Sequence, residues 1–259
     1  MSLSELNEYG VGKIIHLEKY GLSSFALKVI AVVTMFMDHF AILFFRNNEM
    51  LYNIFRGIGR LSFPLFCFVL VEGFFYTKNR FSYAIRLGVF ALISEIPYNM
   101  FGGSYFDLQR QNVIFTLFFG FLTIWALDFI SMFRVKYPEN LLRRIGATRL
   151  NTLLELAAMI AGLAAAYFLK TSYSYAGVML IICFYVFKKH HIGRLVSNMV
   201  FNMGMFGFSL QWLGTLSAIP IALYNGKPGV RRGKYFFYWF YPLHLTALVF
   251  LRILYLRIT

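Results

Sequence analysis

The sequence predicts an all-α polytopic membrane protein, a helical bundle of about nine transmembrane helices with its N-terminus in the cytoplasm. Composition is the first reason. Of 259 residues, 59% are hydrophobic and 14% charged, whereas soluble domains run at roughly 45–50% apolar and about 25% charged. The surplus needs a solvent that accepts apolar surface. The second reason is segmentation: apolar runs occupy 25–45, 61–77, 81–101, 112–133, 150–169, 175–187, 195–207, 210–225 and 235–254. A helix crosses the hydrocarbon core with roughly 20 residues, so nine spans use about 180 and leave no room for a second folded domain. The third reason is the alternation of basic loops described below.

Residues 1–24 carry Glu5, Glu8, Lys13, His16, Glu18 and Lys19 without a long apolar core, so they read as a cytoplasmic or interfacial segment and not as a signal peptide. Residues 25–259 then form a single transmembrane domain. Segment 195–225 can be one long helix or two short ones meeting near Gly207 to Gln211. With two, the even-numbered connections carry Lys78, Arg80 and Arg86, then Arg134, Lys136, Arg143, Arg144 and Arg149, then Lys188, Lys189 and Arg194, then Lys227, Arg231, Arg232 and Lys234. The odd connections hold Arg46, Arg56 and Arg60, then Arg110, then Lys170, then none. The positive-inside rule therefore selects two helices and a cytoplasmic N-terminus. It also accounts for the net charge of +14 without nucleic acid as a partner. Cys67 and Cys183 both lie inside apolar runs and read as packing residues, neither a disulfide nor a zinc site.

Charged side chains inside spans cost about 2.5–3.5 kcal/mol each on insertion scales, so those retained need a partner, a cavity or a function. Asp38 and His39 stand about two-thirds of the way along the first span toward the outer face. Adjacent helical positions differ by roughly 100°, so each must find its partner on another helix. His39 is either a hydrogen-bonded structural histidine or a general base. Arg56-Gly57-Ile58-Gly59-Arg60 leads into the second span, which also holds Pro64 and Glu72-Gly73; Gly and Pro this close together are expected to break regular helix, which at membrane depth places the segment in protein or along a cavity. Arg56 and Arg60, four apart, form a two-guanidinium face suited to an oxyanion, or snorkel to the interface. Glu72 suits a salt bridge with Arg86 or Lys78. Glu95, followed by a Pro97 expected to kink or end its helix, is a candidate partner for Arg60. Asn112 and Gln211 read as polar contacts between helices. In the last span, Tyr238, Tyr241 and His244 add two hydroxyls and a second buried imidazole. His190 and His191 read as basic surface. The sequence has no phosphate-binding Gly-rich loop with Lys-Ser/Thr, no His-Glu-x-x-His and no Gly-x-Ser-x-Gly, which leaves ATP hydrolysis, zinc proteolysis and serine catalysis unsupported and predicts no metal.

These strings together resemble the TraX family. The resemblance rests on Lys28 with Met37-Asp38-His39, Ile58-Gly59-Arg60-Leu61-Ser62-Phe63-Pro64-Leu65-Phe66, Val71-Glu72-Gly73 through Tyr76-Thr77, Tyr83 to Arg86-Leu87, Ile93-Ser94-Glu95-Ile96-Pro97, Asn112-Val113, Leu223-Tyr224-Asn225-Gly226-Lys227, and Phe237-Tyr238 through Phe240-Tyr241-Pro242-Leu243-His244. It spans about residues 25–250. One departure is Ser172-Tyr173-Ser174, where many members have Asp-Tyr-Gly. If that aspartate contacts the acceptor, acceptor identity differs here.

The resemblance implies a membrane acyltransferase of the bacterial cytoplasmic membrane that uses acetyl-CoA as co-substrate and an amine acceptor such as a peptide or pilin-like N-terminus. His39 would be the base, Asp38 its orienting partner, and Arg60 a donor to the oxyanion or a holder of the pantetheine phosphate. His244, Tyr241, Tyr238, Glu95, Asn112, Gln211 and Arg56 would bind substrate. His39 is in the outer half whereas acetyl-CoA is cytoplasmic, so a narrow passage must admit the pantetheine arm from inside. O-acyl transfer to a glycan or lipid, and proton-coupled secondary transport, are the alternatives.

Overall fold

A computed structural model describes residues 21–133, 146–206, 209–230 and 234–258. Most of the predicted N-terminal segment, the basic residues between 134 and 145, Gly207, Arg231 and Arg232 lie outside the described residues. The elements are α1 (Ser24–Phe44), α2 (Glu49–Gly59), α3 (Ser62–Tyr76), α4 (Arg80–Gly102), α5 (Val113–Phe133), α6 (Ala147–Phe168), α7 (Ser174–Val186), α8 (His191–Gly204), a 3-10 helix (Leu210–Ser217) running into α9 (Ala218–Ala222), and α10 (Lys234–Ile258). With α2–α3 and the 3-10–α9 pair each counted once, the described residues make about nine passes and contain no strand. Five segments are long and apolar enough to cross a membrane: Ser24–Phe44, Glu49–Tyr76, Val113–Met132, Arg149–Phe168 and Tyr235–Arg257.

Polar caps start several helices where free N–H groups would otherwise go unpaired. Ser23 Oγ accepts from Ala26 N (3.3 Å), Asn48 Oδ1 from Leu51 N (3.0 Å) and Asn79 Oδ1 from Ser82 N (2.8 Å). Contacts between helix ends sort onto two faces. On one, Leu22 N donates to Leu223 O (2.8 Å), Ser24 N donates to Lys227 O (2.9 Å), Tyr76 Oη donates to Gly226 O, and Arg80 pairs with Asp128. On the other, Gln111 N donates to Lys170 O (3.0 Å) and Tyr98 Oη meets Ser172 Oγ (3.4 Å). Consecutive passes therefore alternate in direction, and loop 223–230 shares the face of Leu22 and the start of α1. The chain between α7 and α10 goes out and back, as loop charge predicts: Asn198 Nδ2 on α8 donates to Ser217 Oγ (2.9 Å) and Gln211 Nε2 donates to Asn202 Oδ1 (2.8 Å).

Helix α3 is the axis. Eleven of its 15 residues are buried, among them Phe63, Phe68 and Phe74, as befits a helix apolar all round. Outer positions such as Leu153, Ile160, Phe250 and Leu254 are exposed and apolar, a surface made for acyl chains.

Three local expectations change. The string Arg56 to Arg60 is helical and not an entrance loop, because its glycines serve close approach: a Cβ on Gly59 would stand 2.3 Å from Asp38 Cβ, and one on Gly57 2.5 Å from Leu213. The helical break falls at Arg60–Leu61 instead. Pro97 neither ends nor interrupts α4, which continues to Gly102 and stops at Gly103 in the left-handed region (φ 89°). Glu72 pairs with Arg194 of α8 (3.2 Å) and accepts from Tyr224 Oη (3.1 Å), not with Arg86 or Lys78.

Ser174 opens α7 with φ 49°, a conformation that strains an L residue. Glycine occupies the corresponding place in the motif that this chain departs from. Ser174→Gly is expected to stabilise the protein by about 0.5–1 kcal/mol, the steric relief exceeding the added chain entropy, and Ser174→Val to destabilise it. Thermal unfolding in detergent checks both; a lower midpoint for the glycine variant would contradict the argument.

Candidate functional site

The rotation between neighbouring helix positions sends Asp38 and His39 to different helices. Asp38, 6% exposed, turns toward α2. Its Oδ2 accepts from Arg56 Nη1 (2.8 Å) and its Oδ1 from Arg60 Nη2 (2.5 Å). The i, i+4 spacing of the two arginines places both guanidiniums on one helical face, and Gly59 between them lets the carboxylate come close. One carboxylate thus holds two cations, so the cluster keeps a net positive charge. Arg60 also donates from Nε to Arg56 O (3.3 Å) and from Nη1 to Gln211 Oε1 (3.5 Å). From Gln211 the polar contacts continue through Asn202 and Asn198 to Ser217.

His39 turns to α10. Its Nδ1 lies 2.7 Å from His244 Nε2, and the rings are nearly coplanar, 21° apart. His244 Nδ1 is 2.7 Å from Phe240 O. A carbonyl can only accept, so His244 carries its proton on Nδ1 and, when neutral, presents a lone pair at Nε2. His39 must then donate from Nδ1. Its own Nε2 is left with the free lone pair, and that atom has no hydrogen bond among the described residues. The backbone of α10 therefore sets the tautomer of an imidazole on α1.

Two cavities approach this pair, each through one intervening ring and neither lined by the histidines themselves. The inner one, about 310 Å³, lies between α1, α3, α4, α5 and α10. Lys28, Thr77 and Arg86 stand toward the face of Leu22 and loop 223–230, and Met35 and Tyr241 stand at the deep end. The outer one, about 250 Å³, includes Leu43, Phe101, Tyr105 and Arg252. Tyr241 approaches the His39 ring at 6.3 Å and Phe101 at 5.1 Å, both edge-on. His39 is thus framed by one ring from each cavity, where the sequence suggests a single narrow passage.

The profile of a family described as TraX protein matches residues 23–252. The chain belongs to the TraX family. It is also similar to the probable fimbrial assembly protein FimC, serogroup H1, of Dichelobacter nodosus, at 30% identity over 253 residues that cover 87% of this chain and 94% of that protein. No solved structure matches.

The strings that resemble TraX occupy distinct parts of the bundle. Met37-Asp38-His39, Arg60 and His244 meet at the centre. Leu223 to Lys227 forms the tie to Leu22 and Tyr76, with Gly226 supplying a positive φ of 75°. Glu95 does not reach Arg60. Its Oε2 accepts from Asn112 N (3.3 Å) and Nδ2 (2.5 Å), while Asn112 Oδ1 caps α5 by accepting from Ile114 N (3.0 Å). Those two residues of TraX therefore brace α4 against α5. Asp38 does not touch His39 either; its carboxylate is taken by the arginines, and the orienting partner of His39 is His244. Tyr241 stands next to the histidines, and Tyr238, a turn below, packs on Phe90 at 5.2 Å. Sequence reasoning missed Phe101 and the pair Asn198 and Asn202. The i, i+4 asparagines in an apolar run were a usable signal; Phe101 had none among 31 phenylalanines.

Proposed function

We propose that this TraX protein is an acyl-CoA-dependent acetyltransferase of the bacterial cytoplasmic membrane, moving acetyl from acetyl-CoA to an amine such as a peptide or pilin-like N-terminus. The observation that carries the reading is the free Nε2 of His39 between cavities on opposite sides of the bundle. The inner cavity admits a thin thioester arm from the cytoplasm, and the outer one admits the acceptor. The acceptor nitrogen attacks the thioester carbonyl while its proton passes to His39 Nε2, so a C–N bond forms and the C–S bond breaks. The proton then returns to the leaving sulfur, giving the free CoA thiol. His244 holds the tautomer and shares the charge of the transient imidazolium through its 2.7 Å bond. The cationic Asp38–Arg56–Arg60 cluster supplies a field that favours the oxyanion of the tetrahedral intermediate. The D. nodosus relative, a probable fimbrial assembly protein by name, fits a pilin-type acceptor.

The test uses full-length protein in nanodiscs with acetyl-CoA and an apolar peptide bearing a free N-terminus. N-acetyl peptide and CoA thiol should appear in equal amounts. Acetylation of a glycan or lipid hydroxyl but no amine would move the assignment to O-acyl transfer. Absence of any thiol release, with proton-coupled flux in liposomes, would make the protein a transporter and end the proposal.

A further inference from the structure

Lys28 and Arg86 belong to the strings that resemble TraX, yet the chemistry above leaves them without work. Both line the inner cavity. Lys28 Nζ lies 5.6 Å from the Phe237 ring, and the Arg86 guanidinium 5.6 Å from the Tyr83 ring. The Nε of Arg86 is buried with no hydrogen-bond partner. Among the described residues lining this cavity none is Asp or Glu. Of the carboxylates elsewhere on the same helices, Asp38 is held by Arg56 and Arg60, Glu72 by Arg194 and Asp128 by Arg80, while Glu95, nine residues (about 14 Å of helical rise) beyond Arg86 on α4, contacts Asn112. Two cations in an apolar enclosure without a counter-charge are expensive, and an anionic ligand offsets that cost.

The shape narrows the ligand. Along α3 the wall runs from Thr77 to Phe66, roughly 16 Å of helical rise, and beyond the cations it is mostly apolar. The ligand has an anion at the mouth and a slender arm reaching Met35 and Tyr241. We propose that Lys28 and Arg86 clamp the phosphate of a phosphopantetheine thioester, so that the phosphate sets how deep the thioester sits below His39. This rests on the acetyl-transfer reading for the identity of the arm. The remainder of CoA then lies outside the cavity, and the clamp, not the adenine, is the main determinant of donor binding.

Calorimetry on the full-length protein in nanodiscs compares 4′-phosphopantetheine with pantetheine, which lacks only the phosphate. Wild type should prefer the phosphorylated arm by about 10- to 100-fold, the scale of charge-assisted hydrogen bonds. Lys28→Gln and Arg86→Gln should each remove most of that preference while leaving pantetheine binding unchanged. Equal wild-type affinity for the two probes overturns the clamp whatever the variants do. So does a wild-type preference that both variants retain, or phospholipid found by native mass spectrometry to fill the site and resist displacement by 4′-phosphopantetheine. Because binding is read without turnover, a phosphate-dependent preference in a protein that transfers no acetyl group would sink the enzymatic reading alone. Acetyl transfer that proceeds equally well from acetyl-pantetheine and acetyl-CoA would sink the clamp alone.

Discussion

His39→Ala is expected to lower acetyl transfer by at least about 10²-fold, the usual scale for a general base, while leaving the bundle assembled. The side chain is half-buried and its removal breaks one hydrogen bond, to His244 Nε2. No charge is left unpaired, so the loss of stability should be about 1–3 kcal/mol, the cost of leaving the buried His244 Nε2 unsatisfied. His244 acts one step back. His244→Ala frees the His39 Nδ1 proton and lets either tautomer form, so turnover falls by less and the pH–rate profile moves, which loss of packing alone would not produce. The decisive measurement is single-turnover acetyl transfer by both variants, beside their melting curves. Near-normal transfer by His39→Ala would remove this residue from the mechanism, and a far larger defect in His244→Ala would reverse the two roles.

Asp38→Ala should act mainly on stability. The carboxylate is the sole acidic partner of both guanidiniums among the described residues. Its loss leaves two buried cations facing each other across one helical turn. Breaking a buried pair by removing one partner typically destabilises by about 3–5 kcal/mol, and here one deletion strands two partners. Asp38→Asn keeps the shape but not the charge and should fall in the same range. Arg56→Ala should be milder, because Arg60 still holds the carboxylate. Arg60→Lys keeps the charge but loses the planar fork that reaches Asp38, Gln211 and the Arg56 carbonyl at once; its melting point should fall below that of Arg56→Lys. Thermal unfolding followed by size-exclusion fluorescence ranks the series. An Asp38→Asn protein that melts with wild type would show that the cluster is dispensable.

Much of this architecture was legible. Span number, alternation and the two-helix reading of 195–225 follow from hydropathy and loop charge, because lipid forces apolar runs and topology collects lysine and arginine on one side. Which polar residues would turn inward was also readable, since Asp38, His39, Arg60 and His244 cannot face acyl chains. Their pairing was not. Helical spacing gives rotation around one axis but says nothing of how two helices face each other, so Glu95 looked as good a partner for Arg60 as Asp38 did. The string Arg56-Gly57-Ile58-Gly59-Arg60 misled for a related reason. Glycine reads as a breaker when the neighbour that needs the missing Cβ is out of view, and at Gly59 that neighbour is Asp38 itself. Pro97 was overweighted because a membrane helix tolerates proline where neighbouring helices pack against it, as α5 and α10 do against α4.

The two halves of the central site differ in when they can exist. Asp38 meets Arg56 and Arg60 across 18 and 22 residues of chain, whereas His39 meets His244 across 205. During synthesis the first hairpin can leave the translocation channel with the Asp38 carboxylate already matched, whereas Glu72 of the same hairpin waits 122 residues for Arg194. The imidazole pair cannot form until the last helix has been made and threaded in, nor can the Leu22 tie to loop 223–230. A nascent TraX chain therefore holds its Asp38 cluster early and gains its imidazole pair only with the last helix.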